Sequence, residues 1–348
     1  MTVAPSEAAP QRATVRIASI ERDSDASTLL TFDGPDAWRP AHGQYLVLER
    51  DGISRCYSLC GTPEAPLRVG VRRVEGGQFS TWALDAARIG DELSARAPRG
   101  RFTHALTPQS AREYLLVAAG AGVTPIYAVA RAVLEQEPSS RVTLLCINRS
   151  LERAMLLDDV ERLRNRHLDR LRLWHNLTRE SVALELLSGR LDLERLRELQ
   201  RRGLLPTSPN EVFLCAPAEL TDVLMEFVAE AGVDGSSVHR ESFGARRRPV
   251  VPSDARAGKE LRVRLHGRTT VVPTRRGETV LEAVERLRPE VPSSCRAGIC
   301  STCIARLVEG EVEIAADHAL SPSERAADLI LTCQARPKTP SLVVDYDV

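Results

Sequence analysis

The sequence predicts a multidomain chain: an antiparallel β-barrel, then an α/β domain with a parallel sheet, then a small α+β domain. Three observations lead there. At 348 residues the chain exceeds the size at which one hydrophobic core keeps growing, so two or three domains are expected. Its hydrophobic rhythm changes near residue 110 and again across a Gly-, Pro- and Arg-rich stretch. Three of the eight cysteines crowd into the nine residues Cys295–Cys303. The boundaries read from these changes are 1–108 for the barrel, 109–243 for the α/β domain, 244–258 for a linker and 259–348 for the last domain.

In order along the chain, "ATVRIASI", "LLTF", "QYLVLE", "RCYSLC" and "LRVGVRRV" are short alternating stretches divided by Gly, Pro and Asp turns. That is the pattern of a small antiparallel barrel. From "EYLLVAAG" onward, apolar strands ("RVTLLCIN", "LRLWHNLT", "EVFLCA") alternate with helical patterns ("PIYAVARAVLEQ", "LLDDVERLRNRH", "LDLERLRELQRRG", "LTDVLMEFVAEAG"). Such alternation implies a parallel sheet flanked by helices. "GARRRPVVPSDARAGKE" has no hydrophobic period and reads as a linker. Beyond it, "LRVRLHGRTTVVPT" predicts a hairpin around His266-Gly267, and "ETVLEAVERLR" an amphipathic helix. "CIARLVEGEVEI", "LILTCQARP" and "SLVVDYDV" supply further strands.

Charge points to no polyanionic partner: 47 basic residues balance 47 acidic ones, so neither nucleic acid nor an anionic membrane is expected to bind. The longest apolar runs are far below the roughly 20 residues of a membrane span. The first residues lack signal-peptide character, and a cytoplasmic protein is expected. Thiols stay reduced there, so the cysteines suggest metal in preference to disulfides.

Cys295, Cys300, Cys303 and Cys333 have the spacing C-x4-C-x2-C-x29-C, which matches a plant-type [2Fe–2S] site. Four thiolates must converge on two metal ions, so a loop wraps one side while a distant cysteine closes the other. A structural zinc site is the alternative; it commonly uses two C-x2-C knuckles, and one short pair is present here. The residues between the thiols, Arg296 to Ile299 and Ser301-Thr302, are expected to form part of a rim where a partner docks. The seven histidines fall in no metal-ligand spacing and read as surface or core residues.

An iron–sulfur cluster needs an electron donor. In the barrel, Arg55, Tyr57 and Ser58 offer charge, a stacking face and a hydroxyl, and Gly77-Gln78-Phe79-Ser80 opens a helical pattern whose N–H groups suit a phosphate. In the α/β domain, Gly120-Ala-Gly122 links strand to helix, with Thr124 expected as N-cap and Pro125 in the first helical position. This is the place for a dinucleotide pyrophosphate, although the third glycine of the full fingerprint is missing.

Taken together, R-x-Y-S, G-x-x-S, G-x-G-x-T-P and C-x-P, in this order before a plant-type cluster, resemble the ferredoxin–NADP reductase superfamily. Within it the chain is similar to reductase components of multicomponent oxygenases: the phenylacetyl-CoA epoxidase and ketosteroid 9α-hydroxylase reductases, with phthalate dioxygenase reductase sharing the domain order. The resemblance implies a flavin-binding barrel, an NAD(P)-binding α/β domain and a β-grasp ferredoxin domain. Arg55, Tyr57, Ser58, Val71, Arg72, Gly77, Gln78, Phe79 and Ser80 would then hold the flavin, FAD in preference to FMN. Gly120, Gly122, Thr124, Pro125, Arg149 and Cys215 would hold NADH or NADPH, a choice the sequence leaves open. Phe243 would approach the flavin or serve as a core aromatic. The family's C-G-P is here Cys215-Ala216-Pro217. The implied activity is NAD(P)H-dependent electron transfer through flavin and cluster to a partner oxygenase; a free-standing reductase of a small acceptor and a redox-sensing module are the alternatives.

Overall fold

A computed structural model of the chain describes residues 10, 12–61, 66–241, 243, 259–293, 296, 298, 302–315, 320 and 322–348. The expected linker, 244–258, lies outside the described residues. The chain divides into two compact units, Met1–Arg50 with Tyr57–Phe243, and Asp51–Cys56 with Gly244–Val348.

The first sheet comprises β1 (Arg12–Ser24), β2 (Ser27–Asp33), β3 (Tyr45–Arg50), β4 (Ile53–Ser58), β5 (Leu67–Arg72) and, after helix α1 (Gln78–Asp85), β6 (Glu92–Arg99). Their order is β4-β3-β6-β1-β2-β5, and an antiparallel bridge from Leu59 to Val69 joins the chain just past β4 to β5. Alternate residues point inward, as the two-residue strand period requires: Val15 and Ile17, Leu30 and Phe32, Leu46 and Leu48, Val69 and Val71 are all buried. Strand β6 was not among the expected stretches. "ELSARAPR" carries two small inward apolar groups, Leu93 and Ala95, and pairing with β1 and β3 makes it a strand. Its Pro98, which has no N–H to give, sits where the β3–β6 register slips between Tyr45 and Val47.

The second sheet is entirely parallel. It runs β7 (Glu113–Ala119), α2 (Val123–Gln136), β8 (Arg141–Asn148), α3 (Leu157–Arg166), β9 (Leu171–Leu177), α4 (Leu193–Arg201), β10 (Glu211–Cys215), α5 (Ala218–Glu230) and β11 (Val238–Glu241). Tyr114–Ala118 and Val142–Ile147 are buried without a break, because helices cover both faces. The strand order is β11-β10-β7-β8-β9. It reverses between β7 and β10, and the crevice beyond the carboxyl ends of those two strands is where such folds bind ligands.

The C-terminal unit has a mixed sheet. β12 (Glu260–Leu265) and β13 (Arg268–Pro273) form the expected hairpin, with His266 at φ 54° and Gly267 at φ 71°, as a two-residue turn of this hand requires. The Asp347 carboxylate accepts from both turn N–H groups, at 2.6 and 2.7 Å. Helix α6 (Val280–Glu285) starts with a reciprocal capping box between Thr279 and Glu282 and buries Val280, Leu281, Ala283 and Val284. Then come β14 (Ile304–Glu309), β15 (Val312–Ile314), β16 (Leu329–Leu331), β17 (Ala335–Pro337) and β18 (Ser341–Asp345). The sheet order is β13-β12-β18-β14-β16, with β12 and β18 parallel, while β15 and β17 pair separately. Among the described residues no helix is long and apolar enough to cross a membrane.

Candidate functional site

At the switch point, β7 ends on Ala119 and the chain turns through Gly120, at φ 54°, into a single 3-10 turn, Gly120–Gly122, before α2. Gly122 has no room for a side chain, and Gly120 has a positive φ that favours glycine. A Cβ on Gly122 would lie 2.2 Å from the Cys215 carbonyl oxygen, and one on Gly120 would lie 2.4 Å from the Arg72 guanidinium. These contacts bring the turn, the end of β10 and the end of β5 together. Thr124 is not the N-cap expected from sequence: Gly122 holds that position, Pro125 stands third in the helix, and the Thr124 hydroxyl donates back to the Ala121 carbonyl at 3.0 Å. The 3-10 turn ahead of the helix shifts the start by two residues. From the barrel side, Gly70 packs so closely that a Cβ there would meet Thr124 at 2.8 Å and Met155 at 2.9 Å.

Beside this turn lies a buried acid. Glu241, at the end of β11, is paired in register with Cys215 and is 8% exposed. The Ser58 hydroxyl donates to Glu241 Oε2 at 3.3 Å across 183 residues of sequence. Burial pushes the Glu241 carboxyl up to about 8, and the Ser58 bond only partly offsets it. Burial, then the Glu241 charge, also raise the Cys215 thiol well above its ordinary value, so it stays neutral. Ser58, Cys215 and Glu241 therefore form a water-poor group with one exchangeable proton near neutral pH. Sequence reasoning gave Glu241 a place, in the Glu241-Ser-Phe243 that closes the domain, but no chemical role.

Positive charge gathers next to it. Burial lowers the Arg72 pKa, and the neighbouring Arg149 and Arg153 charges lower it further. Among the described residues none of the three has a carboxylate in ion-pair reach. Three unneutralised guanidiniums at a glycine turn fit the phosphates of a dinucleotide, whose negative charge would relieve their mutual repulsion.

On the barrel, β4 places Arg55 and Tyr57 on one face and Ser58 on the other. Arg55 is exposed and donates to the Ser54 carbonyl at 2.7 Å. Tyr57 and Phe79 rings lie 5.1 Å apart, and Phe79 meets Trp82 edge-on at 5.4 Å. Helix α1 begins at Gln78, with Gly77 as its N-cap. Ser80 Oγ is committed to the preceding turn, accepting from the Val74 N–H at 3.1 Å and reaching the Gly77 carbonyl at 3.1 Å. Val71 is fully buried, so its side chain is core. Phe243 is 53% exposed and is therefore not a core aromatic.

In the C-terminal unit, β14 and β16 pair Ile304 with Leu331, which sets Cys303 opposite Thr332 and next to Cys333. The Thr332 N–H and hydroxyl both donate to the Cys303 carbonyl, at 3.1 and 2.8 Å. Cys303 and Cys333 are both buried, 2% and 7% exposed. Thr302 Oγ1 is buried with no hydrogen-bond partner among the described residues, a donor that fits the sulfur of a bound cluster. Cys295 and Cys300 lie outside the described residues.

Residues 263–338 match the family model described as the 2Fe-2S iron-sulfur cluster binding domain, and residues 116–225 match that of the oxidoreductase NAD-binding domain. One of the subunits of 1,2-phenylacetyl-CoA epoxidase from Escherichia coli K12 is 32% identical over 95% of this chain and 96% of its own. The ferredoxin reductase component of 3-ketosteroid-9-alpha-monooxygenase from Mycobacterium tuberculosis is 31% identical over 96% and 95%. Among solved structures, phthalate dioxygenase reductase shares the fold, with a TM-score of 0.59 at 24% identity over 96% of this chain and 98% of its own. An intact type IV self-sufficient cytochrome P450 monooxygenase matches 96% of this chain, with a TM-score of 0.68 and 26% identity, and the chain spans 41% of that protein. With about a third of its residues shared along nearly the full length of curated relatives, this chain belongs to the ferredoxin-reductase family of oxygenase reductase components, in which an NAD-binding oxidoreductase domain precedes a [2Fe–2S] domain.

Proposed function

We propose that the protein takes electrons from NAD(P)H through FAD and a [2Fe–2S] cluster and delivers them to a separate oxygenase component. The chain then comprises a flavin barrel (1–108), a nucleotide domain (109–243), a linker (244–258) and a ferredoxin domain (259–348). The observation that carries it is the convergence of Ser58, Gly120–Gly122, Cys215 and Glu241 at the switch point of the parallel sheet. When bound, the flavin accepts a hydride and gives up electrons singly to the cluster.

This chain's own residues supply orientation and charge. Arg72, Arg149 and Arg153 hold phosphate. Gly120, Gly122, Thr124 and Pro125 let the dinucleotide backbone come close, and Cys215 presents a neutral thiol against the nicotinamide. Tyr57 offers a stacking face, assisted by Arg55, Phe243 and the segment Gly77-Gln78-Phe79-Ser80, with Val71, whose side chain is core, contributing its backbone alone. Glu241 Oε2 and Ser58 Oγ hold a proton beside the site and keep bulk water from it. Cys295, Cys300, Cys303 and Cys333 are the cluster ligands.

Purified protein is expected to release FAD on denaturation and to reduce cytochrome c rapidly with NAD(P)H. Cys333→Ser is expected to keep NAD(P)H oxidation by a dye that accepts directly from flavin while losing cytochrome c reduction. A Cys333→Ser protein that retains its cluster spectrum would contradict the ligand assignment.

A further inference from the structure

Gln334 follows the fourth thiol directly, and its carboxamide nitrogen makes two contacts. Nε2 lies 3.6 Å from Cys333 Sγ and 2.9 Å from the Arg296 carbonyl oxygen. One amide nitrogen carries two hydrogens, so both bonds can be made together. The side chain is delivered from a fixed backbone, because the Gln334 N–H donates to the Leu331 carbonyl at 2.8 Å and the Gln334 carbonyl accepts from the Ala315 N–H at 3.0 Å.

Arg296 is itself held in an uncommon shape. Its φ is 53°, a left-handed conformation in which a Cβ crowds the following carbonyl oxygen. At one end its carbonyl is bonded by Gln334; at the other its guanidinium reaches Glu285 Oε1 at 2.8 Å, which also accepts from the Ser293 hydroxyl at 2.9 Å. The Gln334 amide thus joins Cys333 to Arg296, the residue next to Cys295, and the Arg296 guanidinium carries the link on to helix α6.

We infer that Gln334 is a positioning residue of the [2Fe–2S] site, donating a hydrogen bond to the Cys333 sulfur that raises the cluster's reduction potential while its second N–H fixes the ligand loop at Arg296. The inference rests on Cys333 being a cluster ligand. Reduction adds negative charge to the sulfurs, so a donor there favours the reduced form, and hydrogen bonds to sulfur are among the levers that set such potentials. Leucine at 334 fills similar space and donates nothing.

The test is an EPR-monitored redox titration of the wild-type holoprotein and of Gln334→Leu. The variant is expected to show a lower midpoint, so that at the wild-type midpoint its reduced-to-oxidised ratio falls about tenfold, equivalent to 59 mV for a one-electron couple. Its oxidised cluster is also expected to be lost several-fold faster to a chelator. An unchanged midpoint overturns the inference, whatever the rate of loss. If the variant takes up no cluster, the wild type decides. Gln334 is the only glutamine after Gln200, so protein labelled with 15N in its glutamine side chains carries one label in the ferredoxin domain. A 15N coupling to the reduced cluster in pulsed EPR supports the inference, and its absence overturns it. Wild-type protein with no [2Fe–2S] spectrum at all would instead overturn the cluster assignment on which the inference stands.

Discussion

Gly122 leaves no room for a methyl group, since the carbonyl of Cys215 occupies the position a Cβ would take. Gly122→Ala is therefore expected to displace the turn from β10, costing about 1–3 kcal/mol of stability, as overpacking does, and raising the KM for NAD(P)H; thermal unfolding and steady-state kinetics check both. Glu241 gives a second expectation at this scale. Its folded-state pKa is raised from 4.5 to about 8, so the native state holds a proton there that the unfolded chain has released. That contribution is fully present below about pH 4.5 and is lost as pH rises through 8. Glu241→Gln should remove this slope, so the difference in melting temperature between variant and wild type should grow more favourable to the variant from pH 5 to pH 8. A constant difference would show that Glu241 is not protonated in the folded protein. The sequence displayed Gly120, Gly122 and Cys215 as motif letters, because their neighbours in the chain complete the pattern. The buried, proton-holding role of Glu241 was not legible: its partner Ser58 lies 183 residues away in another sheet, and burial, which gives the acid its meaning, is a property of the fold.

At the scale of elements, one polar network joins the barrel to the parallel sheet. His104 Nε2 and the Tyr114 hydroxyl are 2.8 Å apart, and that hydroxyl donates to Glu137 Oε2 at 2.8 Å. Burial works to raise the fully buried Glu137 carboxyl, but donors from Ser140, Thr107 and Tyr114, with the Arg112 charge, hold it below its ordinary value. Tyr114→Phe should cost about 1–3 kcal/mol, the cost of a buried group losing its partner, measurable by denaturant unfolding. The histidines add a pH effect. Burial depresses His42 and His104 from 6.5 to about 4, with His42, His239 and Arg112 adding unfavourable charge around His104 and Glu137 opposing the shift at both rings. The unfolded chain takes up protons that the folded protein refuses, so stability should fall as pH drops from about 6.5 to 4. His42→Gln should flatten that decline. The sequence showed the long apolar strands and helices of this region correctly by their periods. It concealed β6 and β11, whose few apolar residues are strands through their neighbours, and the histidine network, whose members are scattered from residue 42 to residue 239.

For the whole molecule, the order of barrel, parallel sheet and mixed sheet was readable because each has its own hydrophobic period and a compositional break divides the last from the rest. The thiol spacing was readable for a different reason, since a two-iron cluster permits few arrangements of four ligands along a chain. The Arg72, Arg149 and Arg153 cluster was not, because it is assembled from segments far apart in sequence, in a chain where arginine is common everywhere. The central claim is a single electron route from nucleotide to cluster, and anaerobic addition of NAD(P)H to the holoprotein, followed by EPR, tests it most directly. The flavin absorbance is expected to bleach and a reduced [2Fe–2S] signal to appear at once, with Cys333→Ser showing the bleaching alone. Flavin bleaching in the wild type with a cluster that stays oxidised would contradict it.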